Sequence, residues 1–357
     1  MSNADTMKAA LKLVLTLAAL LGIIWLWGRI GWPAISANLG LIGGLFILLV
    51  LLFLFAELAF TAGWWVLIGP RARRIGFWRT LGVYLAGCSV NYFIPPGNLS
   101  GEPLKAHLLS RLIGFRRSIT SITVHKHAEI TALVLFLSGC LTVAMTQFAL
   151  PSGLRNLILS LIVGMWIFVA LVSQILKRRA FETLRRGLAR IGIRSEQIKP
   201  HWQATASLDR WLARFYKTRM RAFYWSTLLC LLGWCGGLLE TYLVLRWLSA
   251  KPSLGTAVAV ESLALALNSL IFFIPGRVGS AEAVRVLVFS VLGLPAAEGV
   301  AYSIVRRGRE VVWAILGLLI LLAMKTRMGG APKRLLVPVQ ERAGLPAPSP
   351  KVGIPEA

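Results

Sequence analysis

The sequence contains few acidic residues: 14 Asp and Glu stand against 39 Lys and Arg, which gives its 357 residues a formal net charge of +25. In a soluble protein, such an excess of basic residues would indicate binding to nucleic acid. Here the basic residues lie between long apolar stretches, where the cytoplasmic loops of membrane proteins carry them. We therefore expect no nucleic-acid partner and interpret the charge as a sign of membrane topology.

The sequence also lacks the common catalytic motifs. It has no Walker-type phosphate-binding loop, no His-Glu-x-x-His motif, no nucleophile elbow and no set of kinase motifs. The longest loop between apolar segments, 177–222, is strongly basic and unsuited to a catalytic core. On these grounds we expect neither an enzyme nor a cofactor.

Cysteine is scarce as well. The four cysteines lie in apolar segments without the spacing of metal ligands, so we expect small buried hydrophobic residues: Cys88, Cys140, Cys230 and Cys235. His125 and His127 would point to opposite faces of a helix, and two ligands are too few for a structural zinc site. We expect no metal site, and a proton relay through these histidines is the alternative.

Long apolar runs dominate the chain, which is 57% hydrophobic. Six runs reach the length of a spanning helix: 8–29, 39–69, 118–148, 156–176, 223–248 and 298–325. The first has no small-residue cleavage site after it, so we interpret it as a helix rather than a signal peptide. Two more stretches, 80–110 and 257–296, are apolar but broken by Pro and Gly. We predict an all-α polytopic membrane protein with about six full spans and two re-entrant helical hairpins.

The loop charges predict the orientation of the spans. Loop 177–221 carries 13 Lys and Arg against three acids, and basic residues also follow the runs 39–69, 80–110 and 298–325. All four regions are cytoplasmic only if segment 80–110 enters from the cytoplasm and returns to it. Segment 257–296 then enters from the opposite side. The two halves are therefore predicted to be inverted repeats, with both chain termini in the cytoplasm.

The sequence itself repeats at an interval of about 180 residues. The matched pairs are Phe93 with Phe273, Pro95 with Pro275, Glu102 with Glu282, Lys105 with Arg285, and Glu57 with Glu240. In the same way, His125-Lys126 and Ala128-Glu129 precede Arg306-Arg307 and Arg309-Glu310 by 181 residues. Internal repeats broken by Gly and Pro at corresponding places are typical of transporters, whose substrate site lies near the membrane midplane.

The broken segments predict two hairpin tips facing each other. The residues expected to form and pair at these tips are Asn91, Pro95, Gly97, Gly101 and Glu102 in the first repeat, and Asn268, Pro275, Gly276, Gly279 and Glu282 in the second. A helix that restarts after such a break exposes amides that favour an anion. Lys105 and Arg285 would add full charge there. The alternative is that Glu102–Lys105 and Glu282–Arg285 are structural pairs, because each shares one helix face.

Charged residues inside the spans are costly and usually functional. Arg306 and Glu310 have the spacing of an i,i+4 pair, which leaves Arg307 and Arg309 for an anion, together with Lys126 at a matched position. We therefore predict an anionic head-group site formed by Lys105, Lys126, Arg285, Arg307 and Arg309. The remaining intramembrane acids and histidines are candidates for ion pairs or proton transfer: Glu57, Glu129, Glu240, Glu310, His125 and His127.

Loop 177–222 contains one amphipathic pattern. Leu208, Trp211, Leu212 and Phe215 follow helical spacing, whereas Arg210, Arg214, Lys217 and Arg221 form a basic stripe. This pattern is typical of a helix lying on an anionic inner leaflet. We interpret it as a membrane-anchoring linker, with the gathering of lipid as the alternative.

Three runs resemble the flippase-like superfamily named after the transmembrane region of lysylphosphatidylglycerol synthases. They are Pro-Pro-Gly-Asn-Leu-Ser-Gly-Glu-Pro-Leu-Lys-Ala-His-Leu-Leu at 95–109, Phe-Ile-Pro-Gly-Arg-Val-Gly-Ser-Ala-Glu at 273–282 and Ser-Ile-Val-Arg-Arg-Gly-Arg-Glu at 303–310. The resemblance covers roughly residues 10–325, and the second half is also similar to a subgroup associated with hopanoid biosynthesis. It implies a bacterial or archaeal protein that moves lipids or polyprenyl-linked precursors between leaflets. Since only about 30 polar residues follow the last run, aminoacylation of lipid is not expected.

Three hypotheses follow for the function. The first is a flippase for an anionic or polyprenyl-linked lipid or hopanoid in the bacterial cytoplasmic membrane. The others are an intramembrane transferase using Glu102 or Glu282, and a scaffold for enzymes of lipid biosynthesis. The expected partners are membrane lipids, including anionic lipids of the inner leaflet. The predicted parts are 1–176, the basic loop 177–222, 223–325 and a basic Pro-rich tail 326–357.

Overall fold

The computed structural model describes residues 40, 42–93, 100–148, 150–177, 199–248, 252–270 and 279–328. Within them the chain is almost entirely helical and contains no strand. The helices are α1 (Phe46–Ile68), α2 (Ala72–Ile75), α3 (Phe77–Phe93), α4 (Glu102–Ile113), α5 (Phe115–Gln147), α6 (Ser152–Lys177), α7 (Lys199–Thr218), α8 (Met220–Leu248), α9 (Leu254–Leu270), α10 (Ser280–Val291) and α11 (Ala296–Met328). This is the all-α polytopic membrane protein that the sequence predicts.

In the part of the chain that the structure describes, four helical segments are long and apolar enough to cross a membrane. They are Gly43–Ile75, Phe115–Gln147, Ser152–Lys177 and Met220–Leu248, and they coincide with four of the six predicted spans. The predicted span 298–325 forms the 33-residue helix α11, which carries the charged group 306–310 within its length and is not among those four. The predicted span 8–29 lies outside the described residues.

Each broken segment contains two helices that pack against each other. The first is α3 followed by α4, and the second is α9 followed by α10. In both cases the helices are 17 and 12 residues long, and a 33-residue helix follows, α5 or α11. The sequence repeat is therefore also a repeat of helix lengths. The opposite orientation of the two halves in the membrane stays a prediction.

Glycines set two of the helix boundaries in the first half. Gly76 separates α2 from α3 with a φ of 82°, and Gly114 separates α4 from α5 with a φ of 84°. A side chain with a Cβ is strained in this left-handed region, whereas glycine is not. The two glycines thus allow the chain to change direction between α2 and α3 and between α4 and α5.

The two halves are interleaved. Helix α3 of the first half packs on α11 of the second, and α9 of the second packs on α5 of the first. The equivalent helices α1 and α8 form the most extensive contact and approach closely at small residues. A Cβ on Gly63 would lie 3.1 Å from the Cys230 sulfur, and one on Gly233 would lie 2.9 Å from the Phe60 ring.

Helix α7 packs against the protein with the face that was expected to anchor it in lipid. Leu212, Phe215 and Tyr216 are buried in a cluster with residues of α1, α5, α6 and α8. Leu212 and Phe215 of this face are therefore covered by neighbouring helices, whereas Leu208 and Trp211 are half-buried, and the anchoring of this helix in lipid stays a prediction. The basic residues on the other side are exposed: Arg210, Arg214, Lys217 and Arg221.

Arg219, in the link between α7 and α8, fixes the end of α1. Its guanidinium donates to the carbonyl of Leu67 at 3.0 Å and to that of Val66 at 3.2 Å. These carbonyls belong to the last turn of α1, whose acceptors have no partner within the helix. A basic group at this position also complements the helix dipole.

The outer surface is apolar where lipid is expected. Along α6, for example, Val163, Ile167 and Leu171 are exposed, as in helices that face hydrocarbon. The cysteines are all free: Cys230 is buried, Cys88 and Cys140 are half-buried, and Cys235 is exposed. The expectation of four buried cysteines is wrong for Cys235, which lies on the outer side of α8.

Candidate functional site

A cavity of about 430 Å³ lies between the two halves. Eight helices contribute to its lining: α1, α3, α4 and α5 from the first half, and α8, α9, α10 and α11 from the second. Among the described residues, its charged lining consists of six basic residues, Lys105, Lys126, Arg285, Arg306, Arg307 and Arg309, and four acids, Glu57, Glu129, Glu261 and Glu310. The five residues predicted to bind an anionic head group are thus brought to one cavity.

The cavity charges of α5 and α11 lie far from the ends of these two helices. Lys126 follows the first residue of α5 by 11 positions, and Arg307 follows the first residue of α11 by the same number. At a rise of 1.5 Å per residue this is roughly 16 Å along the helix, or about half of a 30 Å hydrocarbon layer. Such positions are too deep for several basic groups to reach the membrane surface.

The wall from the first half is a chain of lysines and glutamates. Lys105 contacts Glu102 at 3.1 Å, and Lys126 contacts Glu129 at 3.0 Å and Glu102 at 3.7 Å. The Lys105 ammonium also lies 4.3 Å from the centre of the Tyr84 ring. The Glu102–Lys105 pair expected from the i,i+3 spacing is therefore formed. An ammonium has three donors, so each lysine retains capacity for a further acceptor.

The wall from the second half is a denser network around Arg306. Its guanidinium makes a two-point contact with Glu261, in which the Nη2–Oε1 distance is 3.2 Å and Nη1 approaches Oε2 closely. The same carboxylate accepts from Thr241 at 2.6 Å and from Tyr302 at 3.1 Å. Because Glu261 and Arg306 are both buried, this network replaces the water that the two charges have lost.

The other arginines of this wall are paired as well. Arg309 contacts Glu240 and lies 3.8 Å above the Phe53 ring. Arg307 contacts Glu282 at 2.7 Å and Glu310 at 3.2 Å.

These contacts correct two predicted pairs. Glu310 does not pair with Arg306, and Arg285 reaches Glu310 at 3.3 Å rather than Glu282. The physical reason is that α9 and α10 bring carboxylates and arginines across to α11. These partners compete with neighbours on the same helix. Arg307 and Arg309 are therefore engaged in ion pairs rather than left open for an anion.

The backbone amides of the glycines that directly precede α4 and α10 already have acceptors. Gly101 N donates to Asn91 Oδ1 at 2.6 Å, and Gly279 N donates to Glu282 Oε2 at 2.7 Å. Asn268 Nδ2 donates to the Ala264 carbonyl, and its buried Oδ1 has no hydrogen-bond partner. The remaining predicted tip residues lie outside the described residues: Pro95, Gly97, Pro275 and Gly276.

The two candidate relay histidines do not line the cavity. His125 Nε2 lies 3.0 Å from the Phe60 carbonyl, and His127 lies between the Tyr216 hydroxyl at 2.7 Å and the Ser173 hydroxyl at 2.9 Å. Burial raises the pKa of the Tyr216 phenol, which stays protonated as a partner for His127. Both histidines thus connect helices. Among the described residues, no group of His, Cys, Asp and Glu is placed to hold a metal ion.

Sequence reasoning missed Glu261, which is 2% exposed and holds Arg306. The residue had no charged counterpart in the first half: counted from the first residues of α9 and α3, its equivalent is Tyr84. A search restricted to repeated charges therefore passes over it. The signal that identifies it is simpler, since Glu261 is the one acid within the apolar helix α9.

Glu57 differs from all other acids of the cavity. It is 7% exposed, and its Oε2 has no hydrogen-bond partner. Its counterpart Glu240 pairs with Arg309, but the first half has Ala128 at the position equivalent to Arg309. The first wall therefore contains a buried carboxylate oxygen without a partner.

Comparison with known proteins identifies the family. The family described as the lysylphosphatidylglycerol synthase TM region matches residues 10–318, most of the chain. Comparison with curated proteins and with solved structures gives no match. The similarity to a hopanoid-associated subgroup stays a prediction. The helical fold, the four candidate spans and this match agree, and the chain belongs to the family of the lysylphosphatidylglycerol synthase TM region, whose membrane domains are linked to flippase-like function.

Proposed function

We propose that this protein is a lipid flippase of the bacterial cytoplasmic membrane, with both chain termini on the cytoplasmic side. Its cargo is an anionic or polyprenyl-linked lipid or a hopanoid. One observation carries the proposal: among the described residues, six basic side chains line a cavity between the two repeated halves, and those on α5 and α11 lie about a third of the way along these helices. Buried basic groups at this depth are costly, and in membrane proteins they usually mark a functional site.

The head group binds on the wall of the first half. Lys105 and Lys126 share the carboxylates of Glu102 and Glu129, and ammonium groups have donors to spare. Across the cavity, the buried Nη1 of Arg285 has no hydrogen-bond partner and supplies a further donor. Arg307 and Arg309 contribute charge through their field while remaining in their ion pairs. The lipid tails stay in the bilayer.

Transport proceeds by alternating access. One half rocks against the other and opens the cavity to one leaflet at a time, as in other transporters built from repeats. The sequence has no nucleotide-binding motif, so the proposed energy source is the lipid gradient, an ion gradient or the membrane potential. No covalent bond of the lipid changes, and the protein acts without enzymatic chemistry.

The test is a leaflet-sidedness assay in liposomes that contain purified protein. Labelled phosphatidylglycerol, a polyprenyl phosphate and a hopanoid are offered separately, with and without an imposed proton gradient. We expect protein-dependent transfer of at least one lipid between leaflets, with no change in its mass. Absence of transfer for all three would contradict a flippase, and a chemically altered lipid would point to a transferase.

Two variants connect that assay to the cavity. The double variant Lys105→Met and Lys126→Met removes both ammonium groups but keeps apolar bulk, and transfer should fall to background. Arg155→Ala removes an exposed basic residue outside the cavity and should leave transfer unchanged. Equal rates in the two variants would show that the cavity lysines do not bind the head group.

A further inference from the structure

We propose that Glu57 takes up one proton when an anionic head group binds to the cavity lysines, so that the anion and the proton occupy the protein together. This inference rests on the proposed function, because it assigns a second ligand to the same cavity. It begins with the state of Glu57, which lines the cavity, is 7% exposed and has a carboxylate oxygen without a hydrogen-bond partner.

The lack of a partner follows from the sequence. In the second half, Glu240 at the equivalent position contacts Arg309, and Arg306 lies within 3.9 Å of it. In the first half these two arginines are replaced by Ala128 and His125. His125 points to the Phe60 carbonyl instead. The two halves thus have the same buried acid, but only one of them has a fixed counter-charge.

The cations near Glu57 belong to the head-group site. Its electrostatic neighbours are Lys105 of α4, Arg309 of α11 and Glu129 of α5. Further titratable groups lie on the helices packed around it: Tyr84 and Cys88 of α3, Lys126 and His125 of α5, Cys230 and Glu240 of α8, and Arg306, Arg307 and Glu310 of α11. Arg309 is engaged by Glu240. In the empty cavity, burial disfavours the carboxylate form of Glu57, and the field of Lys105 opposes that effect.

A bound phosphate reverses this balance. Its negative charge neutralises the field of Lys105 and Lys126 and adds a repulsive charge near Glu57. A buried carboxylate without a counter-charge or a hydrogen bond is costly, and binding of a proton removes that cost. The step is balanced: a proton from water binds to the Glu57 carboxylate as the anion enters, and the net charge of the cavity is unchanged. A metal cation is disfavoured because the groups around Glu57 are mostly cationic.

Reciprocity makes the proposal measurable. If anion binding draws a proton to Glu57, a falling pH must strengthen anion binding by the same coupling. For one proton the affinity rises by up to about tenfold for each unit that the pH falls. Glu57→Gln imitates the protonated form, so this variant should bind as tightly as the wild type does at low pH. Its affinity should be independent of pH.

The experiment is calorimetric titration of the purified full chain with short-chain phosphatidylglycerol, in two buffers that differ in ionisation enthalpy. We expect an uptake of about one proton per bound lipid in the wild type and none in Glu57→Gln. Glu298→Gln removes a carboxyl of α11 that is not part of the cavity lining, and it should retain the uptake. Uptake that persists in Glu57→Gln, or binding without uptake in the wild type, overturns this inference and leaves the proposed function intact. Failure of the wild type to bind any anionic lipid overturns both.

A second measurement does not depend on a folded variant. Addition of phosphatidylglycerol to the wild-type protein should increase the infrared absorption of protonated carboxyl groups. In Glu57→Gln the increase should be absent. A wild-type difference spectrum without this increase overturns the proposal.

Discussion

The two halves of the molecule share their helix lengths but not the chemistry of their cavity walls. Both contain helices of 17, 12 and 33 residues in the same order. Where the second half has Arg306 in contact with Glu261, the first has His125 beside Tyr84, with ring centres 6.0 Å apart. The same backbone plan thus carries a network of arginine ion pairs on one side and a wall of lysines and aromatic rings on the other.

The two halves therefore repeat in structure without repeating the pairing of their charged residues. The arginine wall connects α9 to α11 through the buried two-point contact of Arg306 with Glu261, and α8 to α11 through the buried contact of Arg309 with Glu240. The lysine wall is joined by single contacts of lysine side chains, and among the described residues its buried Glu57 forms no ion pair, unlike the equivalent Glu240. The two walls therefore differ in how firmly their buried charges are paired.

The largest effect is expected from removal of Arg306, the central residue of the arginine wall. Arg306→Ala leaves Glu261 buried without its cation, which should cost about 3–5 kcal/mol of folding free energy. Thermal unfolding in detergent measures the loss. The double variant Arg306→Met and Glu261→Met removes both charges and should recover most of the stability. A double variant as unstable as the single one would contradict this account of the wall.

Removal of a charge from the lysine wall should affect transport more than stability. Lys105→Met loses one donor to the head group, and hydrogen bonds that involve charged groups contribute about 1.5–3 kcal/mol. Lipid transfer should therefore fall by roughly 10- to 100-fold, whereas the unfolding temperature should change less than in Arg306→Ala. If Lys105→Met unfolds as readily as Arg306→Ala, the two walls do not differ in the way described.

A smaller effect on stability and transfer is expected at Gly87 of α3, where the Lys105 side chain packs against the helix. A Cβ on Gly87 would lie 2.4 Å from the Cε atom of Lys105, so Gly87→Ala must displace that side chain. Overpacking of this kind costs about 1–3 kcal/mol, and lipid transfer should decrease with it. The equivalent position in α9 already holds Ala264, so Ala264→Gly is the matched variant. It should cost only about 0.5–1 kcal/mol through helix propensity, and transfer should be retained.

The smallest effect concerns one neutral member of the arginine wall. Thr241→Val removes a hydroxyl that donates to Glu261 at 2.6 Å and accepts from Arg306 at 3.1 Å. Since the ion pair itself remains, the loss should be about 1 kcal/mol, visible as a small decrease in unfolding temperature. A loss as large as that of Arg306→Ala would show that the hydroxyl, rather than the ion pair, holds the wall together.

The sequence predicted much of the fold, because long apolar runs and repeated breaks have few structural solutions in a membrane. The ranges of four spans are confirmed, and each broken segment contains two helices as predicted, whereas most of the break between them, 94–99 and 271–278, lies outside the described residues. The predicted site residues Lys105, Lys126, Arg285, Arg307 and Arg309 do meet in one cavity. That they bind a head group stays a prediction.

The pairing inside the cavity was harder to predict. Helical spacing tells which residues share a face, and it correctly gave Glu102 with Lys105. It does not tell what the neighbouring helices bring to that face, so it gave Arg306 the wrong partner. The apolar side of α7 illustrates the same limit, because periodicity alone does not distinguish a lipid-facing stripe from one that other helices cover.

The close crossing of α1 and α8 has a mechanical consequence. At this crossing Gly63 faces the Cys230 thiol, Gly233 faces the Phe60 ring, and the Phe60 and Trp234 rings meet edge to face with their centres 5.4 Å apart. Cavity residues lie on both helices, with Glu57 on α1 and Gly237 on α8. If the protein is the flippase proposed above, bulk added at Gly63 or Gly233 would push α1 and α8 apart and should slow the transfer of every lipid, regardless of its head group.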